Sequence, residues 1–229
     1  MKKQQPNMSE NKILSTSWEL LAEDGIEKFS LRRLADRLGI QAPSLYWYFN
    51  SKQNLYQRLA NQISKIILEE FHSEGDWKEQ LEEFAVTVRS VLSRYPCSTQ
   101  LMMMTLPHEP DMIRFTNRML LCVESTPLEQ EQKLQVVLTL VNYVFFFVLD
   151  KNQHQNNVSA IRKDQGDIPV NGMITLLDSM SESDAGLFRK IFKSGLFGNL
   201  MGTDGAFDFG LRLILMGIEQ VINEQVKSI

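Results

Sequence analysis

The sequence predicts an all-α protein with a small N-terminal helix-turn-helix domain and a larger helical domain after it. Apolar residues recur at intervals of three and four along most of the chain, which is the spacing of amphipathic helices. No run alternates apolar and polar residues between hairpin turns, so strands are not expected. With 229 residues, 43% hydrophobic and 23% charged, the chain is long enough for two domains and has an ordinary globular composition. We place these domains at residues 9–67 and 68–229.

Capping residues, glycine and proline set the boundaries of the predicted helices. Gly25 and Gly39 stand where the first two helices end, and Ser30 precedes the second as a cap. Pro43 opens the third, since proline loses nothing at a first helical position. Helices are expected over residues 9–24, 31–38, 43–48, 52–71, 77–95, 99–105, 111–124, 128–150, 183–193 and 205–225.

Residues 151–170 form the most polar stretch of the predicted second domain. The segment reads KNQHQNNVSAIRKDQGDIPV and has no clear apolar period. It is interpreted as a long loop, and a loop of this length in a compact domain is usually functional or mobile.

The net charge of −4 is unevenly distributed. Residues 1–58 hold nine Lys and Arg against six Asp and Glu, whereas residues 59–229 hold fifteen against twenty-two. A basic N-terminal part, residues 1–58, followed by an acidic remainder favours DNA as a partner, although an excess of three positive charges is a weak indication.

Apolar runs and cysteines give little sign of a membrane or an oxidising compartment. The longest apolar run, residues 138–149, is shorter than the roughly 18 residues that a membrane span needs. The first residues lack the apolar region of a secretion signal, and Cys97 and Cys122 form no paired motif. We therefore expect a cytoplasmic protein without membrane association, cofactor, metal or disulfide framework.

Two short helices joined by a tight glycine-containing turn, at residues 31–49, are typical of a helix-turn-helix. On the second of them, Leu45 and Phe49 are four residues apart and are expected to face the core. Ser44, Trp47 and Tyr48 then face outward, where they suit thymine methyls, base edges and phosphates. The alternative is that both helices belong to an ordinary bundle, with Trp47 and Tyr48 in its core.

The segment GIEKFSLRRLADRLGIQAPSLYWYFNSKQNLY resembles the DNA-binding domain of the TetR family of bacterial repressors. The run from Leu45 to Phe49 followed by Lys52 is especially specific. The segments VLTLVNYVFFFVLDKNQHQ and FDFGLRLILMGIEQVINEQ resemble the dimerisation helices of its tetracycline-binding members. The resemblance implies DNA contacts from Arg32, Gln41, Ala42, Pro43, Ser44, Tyr46, Trp47, Tyr48 and Lys52.

Two departures affect the DNA sequence that is read. Ala42 stands where the tetracycline-binding members have a base-reading amide, and Tyr48 stands where they have an imidazole. The operator sequence is therefore expected to differ from theirs.

The helices near residues 128–150 and 205–225 carry apolar surfaces that look too wide for one neighbour. Two such helices per chain predict a four-helix interface across a two-fold axis, with Gly210 and Gly217 permitting close approach. A homodimer would present two heads to a palindromic operator, about 34–36 Å apart. The alternative is an ordinary buried core. The residues behind this prediction are Leu134, Val137, Leu138, Val141, Val144, Phe145, Val148, Leu149, Phe207, Leu211, Ile214, Leu215, Ile218, Val221 and Ile222.

The resemblance also implies an effector site, but one without the metal of the tetracycline-binding members. Their metal-binding histidine falls at Met102, whose thioether does not suit a hard cation. We expect a repressor released by a small hydrophobic or amphipathic effector, anionic if Arg118 faces the cavity, and no binding of magnesium–tetracycline. The implied ligand-contact positions are Leu68, Phe84, Val88, Met102, Thr105, Leu106, Pro107, Arg118 and Asp150.

Two other functions stay open from the sequence. The protein could be a DNA-binding regulator controlled by a protein partner, or an activator. An enzyme is less well supported, because His72, His108 and His154 are isolated and no catalytic motif or catalytic residue is found.

Overall fold

The computed structural model describes residues 8–72, 74–165, 168–200 and 202–227, and within these ranges the chain is helical with no strand, as predicted. A 3₁₀ helix over Ala42–Trp47 lies between α2 and α3, and residues 42–49 are called the recognition segment. The helices are α1 Glu10–Lys28, α2 Leu31–Leu38, α3 Lys52–Glu70, α4 Trp77–Arg94, α5 Ser98–Met103, α6 Pro110–Cys122, α7 Gln130–Gln165, α8 Ile168–Ser179, α9 Glu182–Lys193, α10 Leu196–Leu200 and α11 Asp204–Lys227.

The chain divides into two compact units, residues 1–141 with 222–229 and residues 142–221. In the first unit, α1, α2, the recognition segment and the start of α3 form a head around one apolar core. Its members are fully or almost fully buried. They include Ile13, Leu20, Leu21, Phe29, Leu34, Leu38, Leu45, Phe49, Leu55 and Leu59.

Serine caps and two glycines set the helix boundaries of the head. The Ser30 hydroxyl accepts from Arg33 N at 3.2 Å, and the Ser51 hydroxyl accepts from Asn54 N at 3.0 Å. Gly39 ends α2 with φ +69°, a left-handed conformation that a side chain would strain. Gly25 also has a positive φ, 73°, but its ψ of 173° is extended rather than left-handed helical; it forms a kink, after which α1 resumes and continues to Lys28.

The sequence predictions failed at three places, the first being two helices that were not predicted, α8 beyond residue 170 and α10 over Leu196–Leu200. Residues 151–170 are helical where they are described, because α7 runs to Gln165 and α8 begins at Ile168; His154 and the other side chains of residues 153–170 lie outside the description. The recognition segment is a 3₁₀ helix rather than the predicted α-helix. The helix has only six residues, and 3₁₀ hydrogen bonds, which span one residue fewer than α-helical ones, are common in such short connecting helices.

The rest of the first unit packs around α3. This helix lies against α4, α5 and α6, and α4 also contacts α6. Phe84 on α4 packs edge-on to Phe71, with ring centroids 5.1 Å apart, and lies 5.4 Å from the ring of Phe115 on α6. These three rings form the aromatic cluster of the unit.

The second unit has its own aromatic core. The ring of Phe207 stacks on Tyr143 at 5.5 Å and meets Phe147 edge-on at 5.1 Å. The Tyr143 hydroxyl donates to Phe207 O at 2.7 Å, and a Cβ added at Gly210 would lie 2.4 Å from that hydroxyl. Gly210 therefore permits a close approach within the chain, whereas Gly217 has open space beside it.

Many residues that were expected to face a partner are buried within the chain. This holds for residues on both α7 and α11, so these side chains are not available to a second copy. They are Val137, Val144, Phe145, Val148, Phe207, Leu211, Leu215, Ile218 and Ile222.

Other apolar residues on the same two helices are exposed. In the first unit these are Leu134 and Leu138. In the second unit they are Phe146 on α7 and Phe209, Leu213, Met216 and Val221 on α11. We call these five residues of the second unit the exposed apolar face.

One helical stretch, Gln130–Asn152, is long and apolar enough to cross a membrane by length and composition. Only 28% of its most apolar window is buried within the chain. One such helix is weak evidence for a membrane span, because soluble proteins contain comparable helices.

Candidate DNA-binding surface and effector site

The recognition segment separates its core residues from its surface residues. Leu45 and Phe49 are 0% and 1% exposed, whereas Trp47 is 90% exposed and Tyr46 is 54% exposed. The alternative in which Trp47 lies in a bundle core is therefore wrong. An indole so exposed on a well-packed head is a feature of binding surfaces rather than of structural elements.

The turn before the recognition segment fixes its direction. Ile40 N donates to Ala35 O at 3.0 Å, and Gly39 N donates to Asp36 O at 3.2 Å, which closes the end of α2. Phe49 N donates to Leu45 O at 2.9 Å at the other end of the segment. Both ends of the segment are therefore held by backbone hydrogen bonds within the head.

Of the arginines on α2, only one is left for DNA in the described part of the chain. Arg33 forms an ion pair with Asp24 at 2.7 Å, and Arg37 hydrogen-bonds Glu23, which lowers the pKa of the Glu23 carboxyl. Arg32 is exposed and has no ion pair with any described residue. Its guanidinium is therefore available to a phosphate.

Lys52 has a structural role beside the predicted one. Its ammonium donates to Phe29 O at 2.8 Å and lies 5.3 Å from the centre of the Tyr56 ring. It thus joins the start of α3 to the end of α1. Its DNA contact stays a prediction, as do those of the remaining positions, Gln41, Ala42, Pro43, Ser44, Tyr46 and Tyr48. Of these, Gln41, Pro43, Tyr46 and Tyr48 are exposed, and Ala42 and Ser44 are partly exposed.

The predicted effector positions on α4 and α6 meet in the aromatic cluster. Phe84 and Val88 on α4 are buried. The Arg118 guanidinium lies over the Phe71 ring, 5.0 Å from its centre, and is only partly exposed. No carboxylate in the described part of the chain pairs with Arg118. An unpaired cation on an aromatic surface is suited to an anionic aromatic or amphipathic molecule.

The predicted positions around α5 lie along α3. The Met102 thioether accepts from the Ser64 hydroxyl at 3.9 Å, and the buried Thr105 hydroxyl donates to Leu101 O at 2.8 Å. Leu106 and Pro107 are exposed.

Two further predicted positions have separate locations. Leu68 on α3 is partly exposed. Asp150 is exposed and belongs to the second unit, so it is described apart from the other eight.

Sequence reasoning missed a row of polar side chains on α3, which we call the polar ladder. Gln53 donates to Met104 O at 2.8 Å. The Gln57 amide pairs with the backbone of Leu106, donating to its carbonyl at 2.9 Å and accepting from its N–H at 3.0 Å. The spacing of four between these glutamines, continued at Asn61, was the available signal.

The last two contacts of the polar ladder reach the start of α6. Asn61 Oδ1 accepts from the N–H groups of Asp111 and Met112 at 2.8 and 3.3 Å. Arg58 pairs with the buried Glu109 at 3.2 Å. The segment from Met104 to Met112, which contains three predicted effector positions, is thereby attached to the helix that begins in the head.

Comparison with family models matches both parts of the chain. Residues 13–59 match the "Bacterial regulatory proteins, tetR family" and residues 72–222 match the "Tetracyclin repressor-like, C-terminal domain". The chain belongs to the TetR family. Repressors of this family bind DNA and are released by small-molecule ligands, so this chain is a DNA-binding, ligand-responsive transcriptional repressor. The family is one of regulators rather than of enzymes.

Individual TetR-family relatives cover nearly the whole chain. The tetracycline repressor protein class C of Escherichia coli is 27% identical over 214 residues, 91% of this chain and 90% of that protein. TetR from Acinetobacter baumannii AYE has a TM-score of 0.66 at 24% identity, over 94% of this chain and 98% of that one. ActR from Streptomyces coelicolor in complex with actinorhodin has a TM-score of 0.72 at 19% identity, over 94% and 98% of the two chains. The two solved structures support the fold alone.

Proposed function

We propose that the protein is a cytoplasmic homodimeric repressor that binds a palindromic operator and is released by an anionic aromatic or amphipathic effector, without a metal. Residues 9–67 provide the DNA-binding domain and residues 68–229 the effector and dimerisation domain. The observation that carries the effector class is Arg118, a partly exposed guanidinium over Phe71 with no described carboxylate partner. Regulation by a protein partner, and activation, have no comparable observation in their favour.

The aromatic cluster supplies the apolar part of this site. Phe71, Phe84 and Phe115 are buried, so in this proposal their rings line an interior site, and the partly exposed Arg118 guanidinium offers donors for a carboxylate or sulfonate. A hydrogen bond to a charged group contributes about 1.5–3 kcal/mol. Removing the anionic group from a ligand should therefore weaken binding roughly tenfold or more.

The chemistry of residue 102 supports an effector that needs no magnesium. The thioether of Met102 lies beside the Ser64 hydroxyl, and neither atom is a good substitute for a histidine or carboxylate ligand. The named relative is a tetracycline repressor, but tetracycline recognition through a magnesium chelate is not expected here.

The polar ladder supplies a route from the effector site to the head. An effector that displaces the segment from Met104 to Met112 must either break the hydrogen bonds between this segment and α3 or move α3 together with the segment. The first turn of α3 holds Lys52, which is bonded to the head at Phe29 O. Movement of α3 changes the spacing of the two heads in the dimer and lowers operator affinity.

Two naphthalene probes test the effector class. We expect 1-anilinonaphthalene-8-sulfonate to bind at least tenfold more tightly than N-phenyl-1-naphthylamine, which lacks the sulfonate. Arg118→Met should abolish this preference. The matched control is Arg114→Met, because Arg114 lies on the same helix but is exposed and pairs with Asp111 at 2.6 Å. An unchanged preference in Arg118→Met would contradict the assignment.

Operator release tests the regulatory part of the proposal. Footprinting on the promoter of the protein's own gene identifies the operator, and a palindromic footprint is expected. Binding of the sulfonate probe and of operator should weaken each other by the same factor, corresponding to a coupling of about 1–3 kcal/mol. Equal probe affinity with and without operator would reject the coupling. Tight tetracycline binding that requires magnesium would reject the effector class.

A further inference from the structure

A cavity of about 410 Å³ lies between the first turns of α1, the outer side of α3 and the start of α6. Its size falls within the range of small-molecule sites, roughly 300–1,000 Å³. On α3 it is lined by residues such as Gln62 and Lys65, whereas the neighbouring Ile63 and Ile67 are fully buried in the core. The rings of the aromatic cluster are not among the residues that line this cavity, which we call the outer cavity.

Apolar and amide side chains make up the neutral part of the lining. Leu14 and Ile66 supply the apolar surface. The Asn11 amide is exposed and has no hydrogen bond with another described residue. The Gln62 Oε1 accepts from the Trp18 indole N–H at 2.9 Å, so this amide is held in place. A ligand with a short hydrocarbon chain and one polar end matches such a surface.

Two of the three carboxylates that line the outer cavity have a cation of their own. Asp111 pairs with Arg114 at 2.6 Å. Glu69 pairs with Lys65 at 3.7 Å, one helical turn away on α3. These two pairs add no net charge to the cavity.

Glu10, the third carboxylate, shares its cation with another acid. Arg58 lies 3.6 Å from Glu10 and 3.2 Å from Glu109. The Glu109 side chain is only 12% exposed, whereas that of Glu10 is 44% exposed at the cavity. One guanidinium therefore serves two carboxylates, and the uncompensated negative charge is accessible at Glu10. An ammonium group between Glu10 and the Asn11 amide oxygen would balance this charge while Arg58 stays on Glu109.

We propose that the outer cavity is a second small-molecule site, which takes an aliphatic amine with its ammonium group beside Glu10 and its hydrocarbon chain against Leu14 and Ile66. Asp111, which bounds this site, belongs to the segment that the effector displaces in the proposed function. Movement of that segment changes the shape of the outer cavity, so amine and effector should oppose each other. The opposition rests on the proposed function, whereas the amine site does not.

The indole N–H signals of the three tryptophans test the site by NMR. Trp18 contacts the lining through Gln62, whereas Trp47 and Trp77 are not lining residues. We expect pentylamine to shift the Trp18 signal saturably and to leave the other two in place; Trp18→Phe assigns the signal. The neutral 1-pentanol and the anionic pentanoate should not reproduce the shift. Absence of a saturable shift with pentylamine would overturn the site, and equal binding of all three probes would overturn the amine class.

Glu10→Gln removes the uncompensated charge and keeps the size of the side chain. The affinity for pentylamine should fall about threefold to tenfold, because the amine loses a charged partner at a partly exposed position. The matched control is Glu27→Gln, which removes an exposed carboxylate from the same helix outside the cavity and should bind as the wild-type protein does. Thermal unfolding checks that both variants are folded. Equal amine affinity in the two variants would overturn the role of Glu10.

Competition with the sulfonate probe tests the opposition between the two sites. The affinity for 1-anilinonaphthalene-8-sulfonate should fall when pentylamine is saturating, and the affinity for pentylamine should fall by the same factor when the sulfonate is saturating. The control is 1-pentanol at the same concentration, which reports direct competition by a pentyl chain. Unchanged affinities would overturn the opposition but not the amine site. Failure of the sulfonate probe to bind at all would count against the proposed function instead.

Discussion

Exposure at single residues decides which side chains are free to bind and which maintain the fold. Trp47 projects from the head, whereas Leu45 and Phe49 on the same segment are buried. Three basic residues near the segment also differ: Arg33 and Lys52 are bonded within the head, and Arg32 is not. Residue type alone would have treated these three cations alike.

Trp47→Ala should weaken operator binding without unfolding the head. Loss of a contact to bases or thymine methyls costs roughly 1–3 kcal/mol at each half-site. The free energy of unfolding should stay within about 0.5 kcal/mol, because the side chain is 90% exposed. Anisotropy measures the affinity, and circular dichroism measures the stability. Leu187→Ala, at an exposed position of the second unit, is the control; equal operator affinity in both variants would contradict the contact.

Cys122 should be nearly unreactive in the native protein. Burial raises the pKa of its thiol to about 11, and burial also raises the pKa of Cys97. At pH 8 an unfolded thiol with a pKa of about 8.5 is partly ionised, so labelling with a disulfide reagent should be much faster in urea. Labelling of a Cys97→Ser variant isolates Cys122. Equal rates with and without urea would contradict its burial.

The same pKa shift fixes the direction of the alkaline stability change. Because the folded thiol keeps its proton to a higher pH than the unfolded thiol, the unfolded state binds fewer protons in the interval between the two pKa values. The stability contribution of Cys122 is therefore complete below pH 8 and declines between about pH 8.5 and 11. Cys122→Ala should reduce this decline in thermal unfolding measured over that interval.

At the scale of elements, capping and turn chemistry made the helix positions predictable. Gly39, Ser30 and Pro43 are signals carried by single residues, and the helices they delimit were placed within a few residues. Residues 151–170 were missed because a polar sequence without an apolar period gives no sign of a helix. Residues 151–165 and 168–170 are helical in spite of their local sequence.

The site was predictable only in part, for a related reason. Positions such as Phe84 and Arg118 came from the resemblance, but their meeting with Phe71 depends on the packing of three helices. The polar ladder depends on backbone groups of Met104 and Leu106. Almost every residue has the same backbone groups, so the sequence does not indicate which of them will accept or donate such a bond.

Gln57→Leu should show that the polar ladder supports the fold. The buried amide satisfies both backbone groups of Leu106, and loss of such partners costs about 1–3 kcal/mol. We expect a loss of that size in urea unfolding, together with a changed operator affinity. The control is Gln80→Leu, since Gln80 bonds Gly75 O and is partly exposed on α4. A stability loss no larger than that of the control would contradict the role of the ladder.

At the scale of the whole molecule, the exposed apolar face is the surface that we propose for dimerisation. Phe146 lies on α7 and Phe209, Leu213 and Met216 lie on α11, all in the second unit and all exposed in the single chain. Large exposed apolar side chains grouped on a helix are typical of a protein interface. A symmetric dimer would bury it and supply the second head that a palindromic operator needs.

Leu213→Glu should dissociate the dimer. A carboxylate at a buried two-fold interface meets its own symmetry copy and loses its hydration, so both effects oppose association. Sedimentation velocity should show monomers at concentrations where the wild-type protein is dimeric, and operator affinity should fall with the dimer fraction. Val86→Glu introduces the same change at an exposed position on α4 and should remain dimeric. A dimeric Leu213→Glu variant would place the interface elsewhere.

Dimerisation through the exposed apolar face, as proposed, would also make repression depend on how much protein the cell contains. Below the dimer dissociation constant, the concentration of dimer rises with the square of the monomer concentration, so operator occupancy rises with that square as well. A twofold fall in synthesis would then lower the dimer concentration about fourfold. The proposed interface on α7 and α11 would thus set a threshold of expression, and below this threshold the regulated genes would stay on even when no effector is present.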